Sequence, residues 1–234
     1  EPYRKYVRYI LRHLAVEFRR CSGIAAWQID TEIGAEGAIR CYCDSCVQAF
    51  REWLRTRYGS IGRLNQLWGS ALRGYLFEDW LQVPGPRSTS GHHLPALYLD
   101  YCRFCSASWE GFVQEQAQAL RQWHPRARMI VEVDAECPHI ELSRLADGMD
   151  AVAVLTPPSP QPDWRRMAMA ISSGRSAGKG NFWLTGVPTG CRWNGRYSSA
   201  PTPHSLKLTL LQAAAYGVDA VILNRWRPLQ TGPE

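Results

Sequence analysis

Two groups of side chains in this sequence have the types and spacing that chemistry needs. The first is Asp30-Thr31-Glu32, which closes the apolar run Ile24-Ala25-Ala26-Trp27-Gln28-Ile29. A carboxylate at the end of a buried strand can hold a proton and hand it over. The second is Cys41-Tyr42-Cys43-Asp44-Ser45-Cys46. Three thiolates at such short spacing suit zinc, and a closed structural site takes a fourth ligand. Further polar and aromatic residues follow other apolar runs: Asp134 and Glu136, Thr156, Thr185, and Asn224-Arg225-Trp226. Ten Trp and ten Tyr supply flat apolar faces, which suit sugar rings as well as cores.

The elements that must position these residues are legible from periodicity. Val7, Ile10, Leu11, Leu14 and Phe18 fall at helical offsets, as do Val47, Phe50, Leu54 and Tyr58. Gly59 ends the second of these helices, and Ser60 caps a short third one carrying Leu64 and Trp68. An irregular Gly/Pro/Ser-rich connection over 69–95 leads to a long helix over 96–123, which Pro125 stops. From there strands and helices alternate: strand 129–133, helix 140–146, strand 151–155, helix 164–171, strand 182–184, a helix capped by Thr202 with Pro203 at its first position, and strand 220–223. Counting 24–29, this gives five short apolar strands separated by helices, the pattern of βαβ units and a parallel sheet covered on both faces. In such folds the site lies at the carboxyl ends of the strands. That is where the acids and aromatics gather.

These residues bear a specific likeness. Trp27-Gln28-Ile29-Asp30-Thr31-Glu32, followed by the C-x-C-x-x-C of Cys41, Cys43 and Cys46, resembles the catalytic domain of glycoside hydrolase family 42, the β-galactosidases. Phe50-Arg51-x-Trp53-Leu54, Tyr58-Gly59-x-Ile61-x-x-Leu64-Asn65-x-x-Trp68-Gly69, Leu99-Asp100-Tyr101-x-Arg103-Phe104 and Asn224-Arg225-Trp226-Arg227 fit the same pattern. The resemblance implies an α/β fold of the (β/α)₈ barrel type. Residues 1–234 would be a segment of that catalytic domain, incomplete at both ends and holding about five parallel strands, the fourth to the eighth. It implies Glu32 as general acid/base and Cys41, Cys43 and Cys46 as ligands of a structural zinc. The fourth ligand then lies upstream, with Cys21 or Asp44 as substitutes. Thr31, Trp193 and Trp226 are the expected substrate contacts, a terminal β-D-galactoside or oligosaccharide the expected partner, and a homotrimer the expected assembly.

One departure from the family pattern bears on activity. A retaining glycosidase uses two carboxylates roughly 5 Å apart, one as acid/base and one as nucleophile. The family's nucleophile ends the seventh strand, and the matching stretch is Phe182-Trp183-Leu184-Thr185-Gly186-Val187-Pro188-Thr189-Gly190, with Gly186, or at best Thr185, in its place and neither a carboxylate. Thr31 likewise stands where the family has Asn. The expectation is a β-galactosidase-like hydrolase of weak or lost activity, the alternative being a non-catalytic carbohydrate-binding pseudoenzyme. Glu132 and Glu136 flank the end of the fifth strand, and either can supply a second carboxylate; a wider separation would favour inversion.

Composition bounds the rest. With 45% hydrophobic and 21% charged residues the 234-residue chain is ordinary globular material. Its net charge of +6 is scattered at helical spacing, so no nucleic-acid partner is expected. No apolar run approaches the length of a membrane span. The N-terminus shows no signal-peptide core, but the sequence begins inside an element, so this says little about the parent protein; the expected location is cytoplasmic. Gly174 to Gly180 imitates a phosphate loop but precedes a strand, and His92-His93 read as loop residues.

Overall fold

The computed structural model describes residues 2–33, 40–88, 91–134, 137, 140–156, 163–190, 192–193 and 198–225; for Glu32, Arg192, Trp193, Ser198 and Ser199 it describes the backbone alone. The chain forms two compact units, Glu1–Ala35 with Trp109–Glu234, and Glu36–Ser108. Helix α4 (Pro95–Trp123) contributes its first half to the second unit and its second half to the first. Among the described residues no helix is long and apolar enough to cross a membrane.

The first unit is built on a sheet of β1 (Trp27–Ile33), β2 (Met129–Val133), β3 (Ala151–Leu155), β4 (Phe182–Pro188) and β7 (Ala220–Asn224), paired in that order. Every pairing is parallel. Helices α1 (Pro2–Phe18), α5 (Leu142–Leu145), α6 (Trp164–Ala177) and α7 (Pro203–Ala215) complete the unit. Strand residues alternate between two apolar layers. Met129, Val131, Val133, Val152, Val154, Phe182 and Leu184 pack with Val113, Leu120, Ile171 and Ala213 from the helices. Ile130, Ala151, Ala153 and Trp183 form a separate cluster on the opposite face. All five residues of β2 are buried, which is why the strands read as continuous apolar runs.

Boundaries differ where pairing, not composition, decides them. The first strand begins at Trp27, whose N–H donates to the carbonyl of Arg128, three residues later than its apolar run, and it continues to Ile33. The fourth extends past Leu184 to Pro188, and α6 runs on to Ala177. A two-stranded antiparallel ribbon, β5 (Arg192–Trp193) with β6 (Ser198–Ser199), carries no periodicity that a sequence reading can find.

Gly174 has a packing role. A Cβ there would lie 1.9 Å from Val154 Cγ2, so glycine lets α6 press directly on β3. Gly174→Ala should cost about 1–3 kcal/mol through overpacking, measured as a lower urea midpoint with unchanged slope.

The second unit holds α2 (Asp44–Tyr58), α3 (Ile61–Trp68), 3₁₀ turns at Ser70–Arg73 and Trp80–Gln82, and the first half of α4. Phe50, Leu54, Leu64, Trp68, Trp80, Val83, Leu97, Tyr101 and Cys105 form its core. The Ser60 hydroxyl caps α3 by accepting from the Arg63 N–H at 3.3 Å. Asn65 ties the irregular connection back to α3: its amide donates to the Phe77 carbonyl at 2.7 Å and accepts from the Phe77 N–H at 3.1 Å.

Candidate functional site

The carboxyl ends of β1 and β4 each depart from regular pairing. In β1, Ile29 pairs with Val131 and Ile33 with Val133, so Asp30, Thr31 and Glu32 together oppose Glu132 alone. In β4, Leu184 pairs with Val221 and Val187 with Leu223, so Thr185 and Gly186 oppose Ile222. Bulges of this kind aim side chains away from the ladder and recur beside active sites.

The β1 bulge turns on Asp30, a non-glycine residue at φ +60°. Aspartate tolerates this conformation because its carboxylate satisfies local backbone donors. Here Oδ1 accepts from the Thr31 N–H at 2.9 Å, while the Gln116 amide reaches Oδ2 at 3.4 Å. The Thr31 hydroxyl donates to Glu132 Oε2 at 2.5 Å. Glu132 is only 6% exposed and shares a sheet face with Ile130, and Ala153 is its register partner. The buried carboxylate therefore pins the bulge that carries Glu32. With its proton committed to Glu132, the exposed Thr31 oxygen is left to accept a hydrogen bond from a ligand hydroxyl.

The β4 bulge turns on Gly186 at φ +65°, where a Cβ would sit 2.6 Å from Leu155 Cδ1. Beside it, two buried hydroxyls lock β3 to β4: Thr156 Oγ1 donates to the Thr185 carbonyl at 2.7 Å and Thr185 Oγ1 to the Val154 carbonyl at 3.2 Å. The Thr189 hydroxyl donates to the Arg225 carbonyl, joining the loops that follow β4 and β7.

Of the residues expected from sequence, Thr31 and Glu132 are thus in direct contact. The Glu32 and Trp193 backbones lie in β1 and β5, while their side chains, and Glu136 and Trp226 entirely, lie outside the described residues. The two bulges and the Thr31–Glu132 bond went unread in the sequence. The one signal available was a carboxylate, Glu132, inside an otherwise apolar strand.

In the second unit Cys41, Cys43 and Cys46 bring their three Sγ atoms within 4.8 Å of one another. Thiolates around a tetrahedral zinc stand about 3.8 Å apart, given Zn–S bonds of about 2.3 Å, so the trio fits three corners of such a site. Among the described residues no fourth His, Cys or carboxylate joins them. Asp44 instead pairs with Arg87 at 3.2 Å. Cys43 stands at the N-cap of α2. Its thiol is drawn below the ordinary value, first by the Cys46 backbone amide, although no cap bond closes, and then by the Cys41 and Cys46 thiols. Burial, then hydrogen bonds with the Cys41 and Cys43 thiols, pushes Cys46 up to about 12. The free trio therefore holds its charge unevenly, and binding a cation would release protons from it.

Comparison with known proteins bears on all of this. The family model described as beta-galactosidase, that of glycoside hydrolase family 42, matches residues 1–234. The β-galactosidase BgaA of a Thermus species is 29% identical over 96% of this chain and 38% of its own length. The β-galactosidase Bga of Halorubrum lacusprofundi is 29% identical over the whole chain and 36% of its own length. The crystal structure of the β-galactosidase from Bacillus circulans sp. alkalophilus superposes with a TM-score of 0.88 at 28% identity, covering 100% of this chain and 35% of that one. The Halorubrum lacusprofundi structure gives 0.89 at 28% identity, covering 99% and 37%. The chain thus spans little more than a third of the length of these relatives. Its five parallel strands with their helices match part of their barrel.

Proposed function

The chain belongs to glycoside hydrolase family 42, and from that premise we propose that it is directed at terminal β-D-galactosides, with Glu32 as acid/base and no carboxylate nucleophile. The observation that carries this reading is the pair of bulges at the ends of β1 and β4, one holding the backbone of Glu32 and the other Gly186. Glu32 protonates the leaving oxygen. Thr31 accepts a hydrogen bond from a sugar hydroxyl, and Trp193 and Trp226 supply apolar faces for the ring. Glu132 positions Thr31; its bond to that hydroxyl and its burial favour this role over direct attack on the sugar.

Without a nucleophile the displacement is not divided into two easier steps, so turnover lies far below that of a two-carboxylate glycosidase. The glycine at 186 equally favours a second reading, a carbohydrate-binding protein without turnover. Cys41, Cys43 and Cys46 would hold a structural zinc, which when bound cross-links the start of α2 to the loop before it.

The test is hydrolysis of an aryl β-galactoside by the protein and by Glu32→Gln. Slow turnover that falls a further ~100-fold or more without its acid, while galactose binding persists in both, is the expected result. Rates identical in the two proteins would refute the assignment of Glu32. Binding of galactose with no turnover in either leaves the second reading.

A further inference from the structure

A cavity of about 690 Å³ opens within the second unit, lined by residues that the galactoside reading does not use. Its volume is in the range of small-molecule sites, roughly 300–1,000 Å³. Its lining includes Arg73, Arg87, His92 and His93, and no carboxylate among the described residues. Tyr42 and Tyr98 supply aromatic walls.

These walls are built. Tyr42 stacks on Tyr101 with ring centroids 5.1 Å apart, which fixes its plane. Arg87 donates from Nε and Nη2 to the Tyr42 carbonyl at 3.0 and 2.6 Å, so its guanidinium is held against the wall. The His93 ring meets the Arg87 carbonyl through Nε2. A carbonyl only accepts, so Nε2 carries the hydrogen and the ring is oriented. Asp44 offsets part of the Arg87 charge, but it stands outside the lining. Arg73, in the last turn of its 3₁₀ helix, makes no ion pair among the described residues. The cavity therefore has a fixed guanidinium, an uncompensated one and flat aromatic faces.

We propose that this cavity binds an anionic saccharide, a sugar ring against Tyr42 and Tyr98 with its sulfate ester or carboxylate on Arg73 and Arg87. Arginine forks match both oxyanions in a bidentate manner. Aromatic faces select the apolar side of a ring over a bare ion. The choice of a sugar as carrier rests on the galactoside reading; the anion preference rests on the cavity alone.

The experiment is titration calorimetry of the protein with a sulfated galacto-oligosaccharide, its desulfated counterpart, a galacturonate oligosaccharide and inorganic sulfate, repeated with Arg73→Ala. Arg73 is exposed, so its removal leaves the fold intact. The expected result is tighter binding of one or both acidic sugars than of the neutral one, with about tenfold or more lost in Arg73→Ala, the scale of one charge-assisted contact. Salt should weaken that binding, and the sulfate and carboxylate arms tell which anion is preferred. Neutral and sulfated sugars binding equally, or an unaffected Arg73→Ala, would overturn the proposal. Inorganic sulfate matching the oligosaccharide would overturn its sugar part. Galactoside hydrolysis in the same variant reads the Glu32 site separately: Arg73-dependent binding with no Glu32-dependent turnover counts against the galactosidase reading alone.

Discussion

Gly186→Glu should raise aryl β-galactoside hydrolysis by about 100-fold or more, well below what losing the nucleophile costs an evolved site. On the proposed reading the new side chain would take the nucleophile's place, at the end of β4. Attack by its carboxylate on the anomeric carbon would split the displacement through a glycosyl-enzyme, and Glu32 would serve as acid and then as base. The bulge opposes the substitution in two ways. At φ +65° any residue with a Cβ carries strain of about 1–2 kcal/mol. The Cβ would also meet Leu155 Cδ1 at 2.6 Å, a contact with the far end of a half-buried side chain, which a rotamer change relieves. The gain in rate should therefore come with a small loss of stability, shared by Gly186→Ala, which gains no rate. A folded Gly186→Glu protein with unchanged turnover would contradict the reading.

Asp100→Ala should destabilise the second unit by about 2–4 kcal/mol, a fall of roughly 5–15 °C in melting temperature. Asp100 is 1% exposed. Oδ1 takes Arg103 at 2.9 Å and lies 4.0 Å from Arg57, while Oδ2 accepts from the Tyr58 hydroxyl at 2.5 Å and from Trp68 Nε1 at 3.0 Å. The two arginines are nearly half exposed and return to water when the carboxylate is removed, which keeps the loss below that of a fully buried pair. Trp68 Nε1 stays buried and keeps only its longer contact with the Tyr58 hydroxyl at 3.3 Å. The same cluster sets an alkaline limit. Burial, then Asp100, raises the Tyr58 phenol above its ordinary value, and burial pushes the Cys105 thiol up to about 11. Both groups ionise earlier in the unfolded chain than in the folded one, so the stability they give is whole at neutral pH. It falls as pH climbs from roughly 8.5, the free-thiol value, through 11. Melting temperatures taken across that range check the sign.

Much of the fold was legible because its signals are local. Ser60, Thr202 and Gly59 act as helix punctuation, and the apolar runs of β2, β3 and β7 fall where the strands form. The family motif around Asp100 was equally visible, but its purpose was not. The sequence has no mark that this acid is buried under Trp68 and Tyr58 and carries packing, not chemistry. The site was half legible for a related reason. Residue types at strand ends pointed to Glu32 as a candidate and the family pattern to Gly186, yet a bulge is a mismatch between two strands distant in sequence, and no single segment encodes it. Likewise His92 and His93 read as bare loop residues, and only the folded connection places them beside Arg73 and Arg87.

The most direct test of the proposal that the nucleophile is missing is product analysis of a nitrophenyl β-galactoside reaction with azide present. If the face opposite the leaving group is empty, azide enters it: the bond from azide nitrogen to the anomeric carbon forms as the bond to the phenolic oxygen breaks, and the phenol leaves with a proton from Glu32. The account predicts azide-dependent turnover and accumulation of α-galactosyl azide. Azide-independent turnover that releases galactose with retained configuration, and that is lost in Glu132→Gln, would show that another carboxylate fills the role and would contradict it.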